Sequence, residues 1–243
     1  MNISYINISP NKTSPRNHKI DTITIHCMAG NLSIERCGEG FAKASRKASS
    51  NYGIGSDGRI GMYVEEKDRS WCSSSSANDN RAVTIEVAND GGAETGWHVS
   101  DKAMSSLLDL VTDICKRNGI DKLVWSDIKS DRVNHKNGCN MTVHRDYAAK
   151  ACPGDYLYGK HKWIADQVNA RLSGKASTPT DSSYVVKVTA TTLNVRSGPG
   201  TNYSITTTVY KGGKYTIVKE SNGWGKLKSG AGWISLKYTE RVS

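Results

Sequence analysis

The chain has 243 residues, too long for one typical domain and about right for two. With 37% hydrophobic and 23% charged residues, 23 Gly and only 5 Pro, it is neither collagen-like, low-complexity nor wholly disordered. No apolar run approaches the roughly 20 residues that cross a bilayer, so no membrane insertion is expected. The 33 Lys and Arg against 23 Asp and Glu leave +10, and +7 of that lies in residues 173–243, where ten basic residues face three acidic ones. Such a basic tail calls for an anionic partner, and charge alone does not choose between nucleic acid, an acidic membrane and an anionic wall polymer. Residues 1–21 contain no h-region, so the sequence predicts no secretory signal and a product that starts in the cytoplasm.

Thr22–Cys27, TITIHC, alternates and is β-branched, which predicts a strand. Ser33 ahead of Ile34-Glu35-Arg36 suits an N-cap, and the helix it opens runs past Phe41. Residues 52–64 read as a hairpin turning at Ser56-Asp57-Gly58. Ala82–Val87, AVTIEV, predicts another strand. Residues 100–117 form the clearest helix: Met104, Leu107, Leu108, Val111, Ile114 and Cys115 share a face, and Asn118-Gly119 ends it. A short strand is expected at 123–125 and a last helix at 162–172, with Ile164, Val168 and Leu172 four apart. Strands alternating with helices predict an α/β or α+β domain around a central mixed β-sheet over residues 1–172. The stretch SGKASTPTDSS at 173–183 reads as a linker. Residues 184–243 hold short alternating runs broken every eight to twelve residues by Gly, Asn, Ser and Pro, which predict a small all-β barrel or roll.

All six cysteines lie before the linker, and free thiols or metal ligands are expected of them rather than disulfides. The tract 135–154, HKNGCNMTVHRDYAAKACPG, carries His135, Cys139, His144 and Cys152, and imidazole and thiolate are preferred zinc donors. Two readings stand: a closed structural site from those four residues, or an open catalytic site from two of them and a distant ligand. His26, near the end of its strand, is the natural distant ligand. Cys27 points to the opposite face of that strand and reads as a small buried hydrophobe. Glu86 stands out as a carboxylate in an otherwise apolar strand. Trp71 and the Ser73–Ser76 run are weaker candidates for a groove wall, and Trp97 with His98 for a rim. No P-loop or nucleophile elbow is present, and the tail lacks a clustered basic stripe or recognition helix, so no nucleic-acid partner is expected.

The segments IHC at 25–27, NYGIGSDGRI at 51–60, IEVAN at 85–89 and HRDYAAKACPG at 144–154 together resemble the zinc-dependent N-acetylmuramoyl-L-alanine amidases of the type-2 family, relatives of the peptidoglycan recognition proteins. The resemblance covers residues 20–172. It implies Zn2+ held by His26, His144 and Cys152, with His135 and Cys139 as non-ligands. It further implies Glu86 as general base, Lys150 as oxyanion stabiliser, and Tyr52, which resembles a tyrosine used near zinc by the phage-type branch. Carrying both Tyr52 and Glu86 departs from any single branch and leaves their division of labour open.

LNVRSGPGTNYS at 193–204, NGWGKL at 222–227 and GWISLKY at 232–238 resemble a bacterial SH3 domain, whose family role is to bind wall peptide or polymer. Trp224 and Trp233 read there as core, Tyr203 and Tyr210 as groove. The resemblances together imply a peptidoglycan hydrolase, cleaving between N-acetylmuramic acid and L-alanine and held on the wall by its tail. A phage or prophage endolysin released through a separate membrane pore (a holin) is the expected setting, with a host autolysin as the rival. A non-catalytic recognition protein is the alternative of a different class; its members lose the metal cysteine, whereas Cys152 is present.

Overall fold

The structure, a computed structural model, describes residues 2–174, 184–221 and 223–242. The chain divides into two compact units, residues 1–176 and 177–243. Apart from Ser173 and Gly174, the linker expected at 173–183 lies outside the described residues.

The first unit runs β1 (Tyr5–Ile6), β2 (Lys12–Thr13), β3 (Thr22–Cys27), α1 (Ile34–Ala42), β4 (Tyr52–Ile54), β5 (Ile60–Met62), β6 (Arg69–Ser70), α2 (Ser76–Arg81), β7 (Ala82–Val87), α3 (Asp101–Asn118), α4 (Lys129–Val133), β8 (Met141–Thr142) and α5 (Gly154–Leu172). Six strands make a mixed sheet in the order β1-β5-β4-β7-β3-β8. Only the β4–β5 hairpin is antiparallel. Strand alternation sorts the sheet into two chemically different faces. Ile23 and Ile25 of β3, Val83, Ile85 and Val87 of β7, and Ile54 of β4 join Leu107, Val111, Ile114, Leu157, Ile164 and Val168 of α3 and α5 in one apolar core. Each such side chain contributes roughly 1.5–3 kcal/mol when taken from water.

The opposite face carries Thr22, Thr24, His26, Thr84 and Glu86, and its buried hydroxyls are paired. Thr24 Oγ1 meets Thr142 Oγ1 at 2.7 Å, and Thr84 Oγ1 meets Ser70 Oγ at 2.7 Å. On this face Gly53 sits under Tyr63: a Cβ there would lie 2.5 Å from the Tyr63 hydroxyl, which donates to the Ile34 carbonyl at 2.7 Å.

The helix ends follow the sequence signals. Ser33 Oγ accepts from the Arg36 N–H, Ser100 Oγ from the Ala103 N–H, and Gly119 closes α3 at φ +65. Two expectations are corrected. Residues 123–125 form no strand, because side-chain amides bind their backbone instead. Asn169 accepts from the Leu123 N–H and donates to its carbonyl, and Asn140 accepts from the Val124 N–H. The last helix also begins at Gly154, not 162, because Leu157 and His161 extend its buried stripe by two turns that Gly154 and Gly159 obscure in the sequence.

One buried ion pair anchors the segment that carries His144. Arg132 grips Asp146 through two bonds, Nε to Oδ2 at 2.9 Å and Nη2 to Oδ1 at 2.6 Å, with both side chains almost fully buried. Arg132 also donates to the Ser126 carbonyl and lies 4.4 Å over the Trp125 ring. Arg132→Ala should therefore lower unfolding stability by about 3–5 kcal/mol, since it strands a buried carboxylate. Denaturant titration of the full chain measures this, and a change below about 1 kcal/mol would show that the pair anchors nothing.

The second unit is all β: β9 (Tyr184–Val188), β10 (Thr192–Arg196), β11 (Ile205–Tyr210), β12 (Lys214–Ser221), β13 (Trp224–Leu227), β14 (Trp233–Ser235) and β15 (Thr239–Arg241). They form one antiparallel sheet in the order β11-β10-β14-β13-β12-β9-β15. Alternate residues, Val186, Val188, Leu193, Val195, Val209, Ile217, Leu227 and Ile234, make its core. Trp233 is buried as expected, but Trp224 is only half-buried and lines a cavity of about 440 Å³ with Asn194, Arg196, Lys237 and Tyr238. Tyr203 and Tyr210, expected in a groove, do not line it.

Candidate metal centre

The site forms where β3, β7 and β8 end. His26 and Glu86 are register partners on adjacent parallel strands, so their side chains leave the same face side by side. Two residues beyond β8, in phase with Thr142, His144 reaches that face from a single turn of 3-10 helix. Cys152 comes from the turn before α5, and the Cys27 N–H points at its sulfur at 3.4 Å.

Donor atoms of His26, His144 and Cys152 all lie within 4.8 Å of one another. His26 Nδ1 is 3.4 Å from Cys152 Sγ, and the two imidazole rings are 5.1 Å apart. Tetrahedral zinc with usual bond lengths would set nitrogen and sulfur about 3.6 Å apart, so the donor set fits such an ion in kind and spacing. A second group, His26 with Cys72 and Glu86, shares His26. Two neutral imidazoles and one thiolate are the better zinc donors of the two sets.

The electrostatics suit ligation. Burial, then the charges of His144 and His161, push His26 down to about 3, so its imidazole is neutral with a lone pair available. Burial and then the Lys150 ammonium lower His144. Contact with the Cys27 thiol, then burial, raises Cys152 above the ordinary thiol range, and a bound cation would displace its proton. Burial, then Cys27, pushes Glu86 up to about 8; its Oε1 accepts from the Cys72 thiol at 3.9 Å, and its buried Oε2 has no partner among the described residues.

The structure thus brings together His26, His144, Cys152 and Glu86, with the exposed Lys150 near enough for its charge to act on His144. Tyr52 is a correction. It pairs in register with Ile85, one residue out of phase with Glu86, so it points into the apolar core, and its hydroxyl donates to Glu66 at 2.9 Å. His135 and Cys139 join no metal-competent group among the described residues; His135 Nδ1 lies 3.0 Å from the Cys139 carbonyl oxygen, and the Cys139 thiol is buried. Trp97 and His98 lie on the 90–98 loop, where His98 Nδ1 contacts Asp90 at 2.6 Å.

Sequence reasoning missed the support under the donor cluster. Asn78, nearly fully buried, donates to Thr24 and Ser73 and accepts from Thr142 and Tyr147, tying β3, β8, the serine loop and the His144 turn together. Cys72 beside Glu86 was equally unmarked. Its only sequence signal is a cysteine next to a polar run.

Residues 16–155 match the family model described as N-acetylmuramoyl-L-alanine amidase, and residues 191–240 match that of the bacterial SH3 domain. The chain is 28% identical over 82 residues to a putative N-acetylmuramoyl-L-alanine amidase, YrvJ, of Bacillus subtilis, covering 33% of this chain and 16% of that protein. It is 47% identical over 55 residues to a probable endopeptidase, p60, of Listeria welshimeri, covering 21% of this chain and 10% of that one. The chain therefore spans only a small part of these curated relatives. Among solved structures, the PlyG catalytic domain matches with a TM-score of 0.52 at 15% identity, over 73% of this chain and 98% of that domain, a likeness of fold.

Proposed function

Since this chain belongs to the N-acetylmuramoyl-L-alanine amidase family, we propose that its first unit hydrolyses the amide between the lactyl group of N-acetylmuramic acid and L-alanine in peptidoglycan. The observation that carries this reading is the His26–His144–Cys152 group with Glu86 in register beside it. His26, His144 and Cys152 would hold Zn2+. A bound zinc ion supplies Lewis acidity, which activates water at neutral pH and polarises a carbonyl. Burial favours the neutral acid of Glu86, and a dication held beside it by His26 would draw it back to the carboxylate; its unpartnered Oε2 then takes a proton from the attacking water and delivers it to the alanine nitrogen as the C–N bond breaks. The Lys150 ammonium stabilises the oxyanion that forms on the carbonyl oxygen. The products are a free lactyl carboxylate and a free amino terminus. A muramyl dipeptide tests the reading: the full chain should release the dipeptide, lose that activity to a chelator and regain it with zinc. Release that persists in chelator would overturn it.

The second unit holds the enzyme on the wall. The cavity beside Trp224 is flanked by Arg196 and Lys237 and has no acidic residue in its lining, which favours an anionic wall polymer or the carboxylate end of a wall peptide. The surroundings are basic: residues 184–242 carry nine Lys and Arg against two Glu. Retention of the full chain on purified walls should fall as salt rises and fall further in Arg196→Glu, because surface charges are screened over about 8 Å at physiological ionic strength. Salt-independent retention, equal in the variant, would remove charge from the recognition. A phage or prophage endolysin acting on the wall after release is the setting we favour.

A further inference from the structure

The serine run at 73–76 contacts one of the metal donors. Ser74 Oγ is 2.9 Å from His144 Nε2. Ser74 also holds a left-handed backbone, φ +64, a region that residues with a side chain seldom adopt. The cause of that conformation is buried beneath it. Asp79, 2% exposed, accepts from the Cys72 N–H at 2.9 Å and the Ser73 N–H at 3.1 Å. Asn78 donates to Ser73 Oγ at 3.1 Å, and Ser75 Oγ caps α2 by accepting from the Asn78 N–H. Ser73 and Ser75 thus use their hydroxyls inside the loop, whereas Ser74 directs its own at His144. Unusual backbone held in place by an over-determined scaffold is a feature of functional sites.

We propose that Ser74 is a positioning residue of the metal centre: its hydroxyl oxygen accepts the Nε2–H of His144 and fixes the tautomer in which Nδ1 keeps the lone pair for the ion. The proposal rests on the metal reading given above. Neutral imidazole has one donor nitrogen and one acceptor nitrogen, so engaging Nε2 as donor leaves Nδ1 as the only ligand atom. Outer partners of this kind orient the ring and raise its basicity, and their loss typically costs 10–100-fold in metal affinity. Because Ser74 and the bond it makes are exposed, the low end of that range applies here.

The test uses the full chain, with Ser74→Ala and Ser74→Gly. Both remove the hydroxyl, but they act oppositely on the backbone, since glycine relaxes the left-handed conformation and alanine does not. Zinc affinity is read by competition with a chromophoric chelator, and the His144 ring nitrogens by 15N NMR of the zinc-loaded wild type. We expect zinc affinity to fall about 10-fold in both variants, and wild-type His144 to show a protonated Nε2 with a metal-shifted Nδ1. Wild-type affinity in Ser74→Gly overturns the proposal, and so does a metal-shifted Nε2 in the wild type, which needs no variant to fold. A wild-type chain that binds no zinc at micromolar concentration overturns the metal reading itself, an outcome distinct from normal binding that is indifferent to Ser74.

Discussion

His26→Ala and Cys152→Ser should each reduce bound zinc to background and abolish hydrolysis, whereas His135→Ala and Cys139→Ala should keep both. The expectation follows from distance. The donor atoms of His26, His144 and Cys152 already lie within 4.8 Å of one another, while His135 and Cys139 join no such group among the described residues and meet through the Cys139 carbonyl oxygen. An open site has three protein ligands, and losing one leaves two, too few to hold the ion against solvent. Cys139→Ala removes a buried thiol and should lower stability modestly without touching the metal. Metal content of each purified variant measures the effect. Full zinc in His26→Ala with none in Cys139→Ala would replace the open site by a closed structural one.

Glu86→Gln should keep zinc and fold but lose about 10²–10⁴ in turnover, the range general acid–base groups contribute. The amide matches the carboxylate in shape and can still accept the Cys72 thiol, so packing is preserved, but it cannot take up the proton that amide cleavage must move. Tyr52→Phe is the matched contrast. It removes a hydroxyl bonded to Glu66 within the apolar core and should leave turnover within about twofold, with a stability loss of about 1 kcal/mol. Steady-state rates on a muramyl peptide, with metal content measured on the same samples, decide both. Wild-type turnover in metal-replete Glu86→Gln would remove Glu86 from the mechanism, and a collapse in Tyr52→Phe would bring Tyr52 back.

What the sequence made legible has a physical basis. TITIHC alternates throughout and AVTIEV from Val83 onward, so the two faces of the sheet, and with them His26 and Glu86, can be read from composition at each position. The tract 135–154 left four candidate donors open, and the resemblance to the amidase family, not spacing, implied His144 and Cys152. Tyr52 was carried over from the resemblance alone, and register rules it out: Gly53, not Tyr52, stands opposite Glu86, and a one-residue step along the strand puts Tyr52 on the other face. The Ser73–Ser76 run was read only as a weak groove-wall candidate, and Asp79, Asn78 and the contact of Ser74 with His144 were illegible for a different reason. A serine run reads as loop, and its order comes from a buried carboxylate whose partners are backbone N–H groups, which leave no pattern in sequence. The segment at 123–125 failed likewise, because Asn169 and Asn140 supply from a distance the hydrogen bonds a neighbouring strand would have made.

Zinc-dependent hydrolysis of the muramoyl–alanine amide is tested by digesting purified peptidoglycan with the full chain and identifying the products by mass spectrometry. New free amino-terminal alanine should appear with no new reducing sugar ends, be lost in chelator and be restored by zinc. New reducing ends, or cleavage within the peptide that leaves alanine attached to muramic acid, would contradict it.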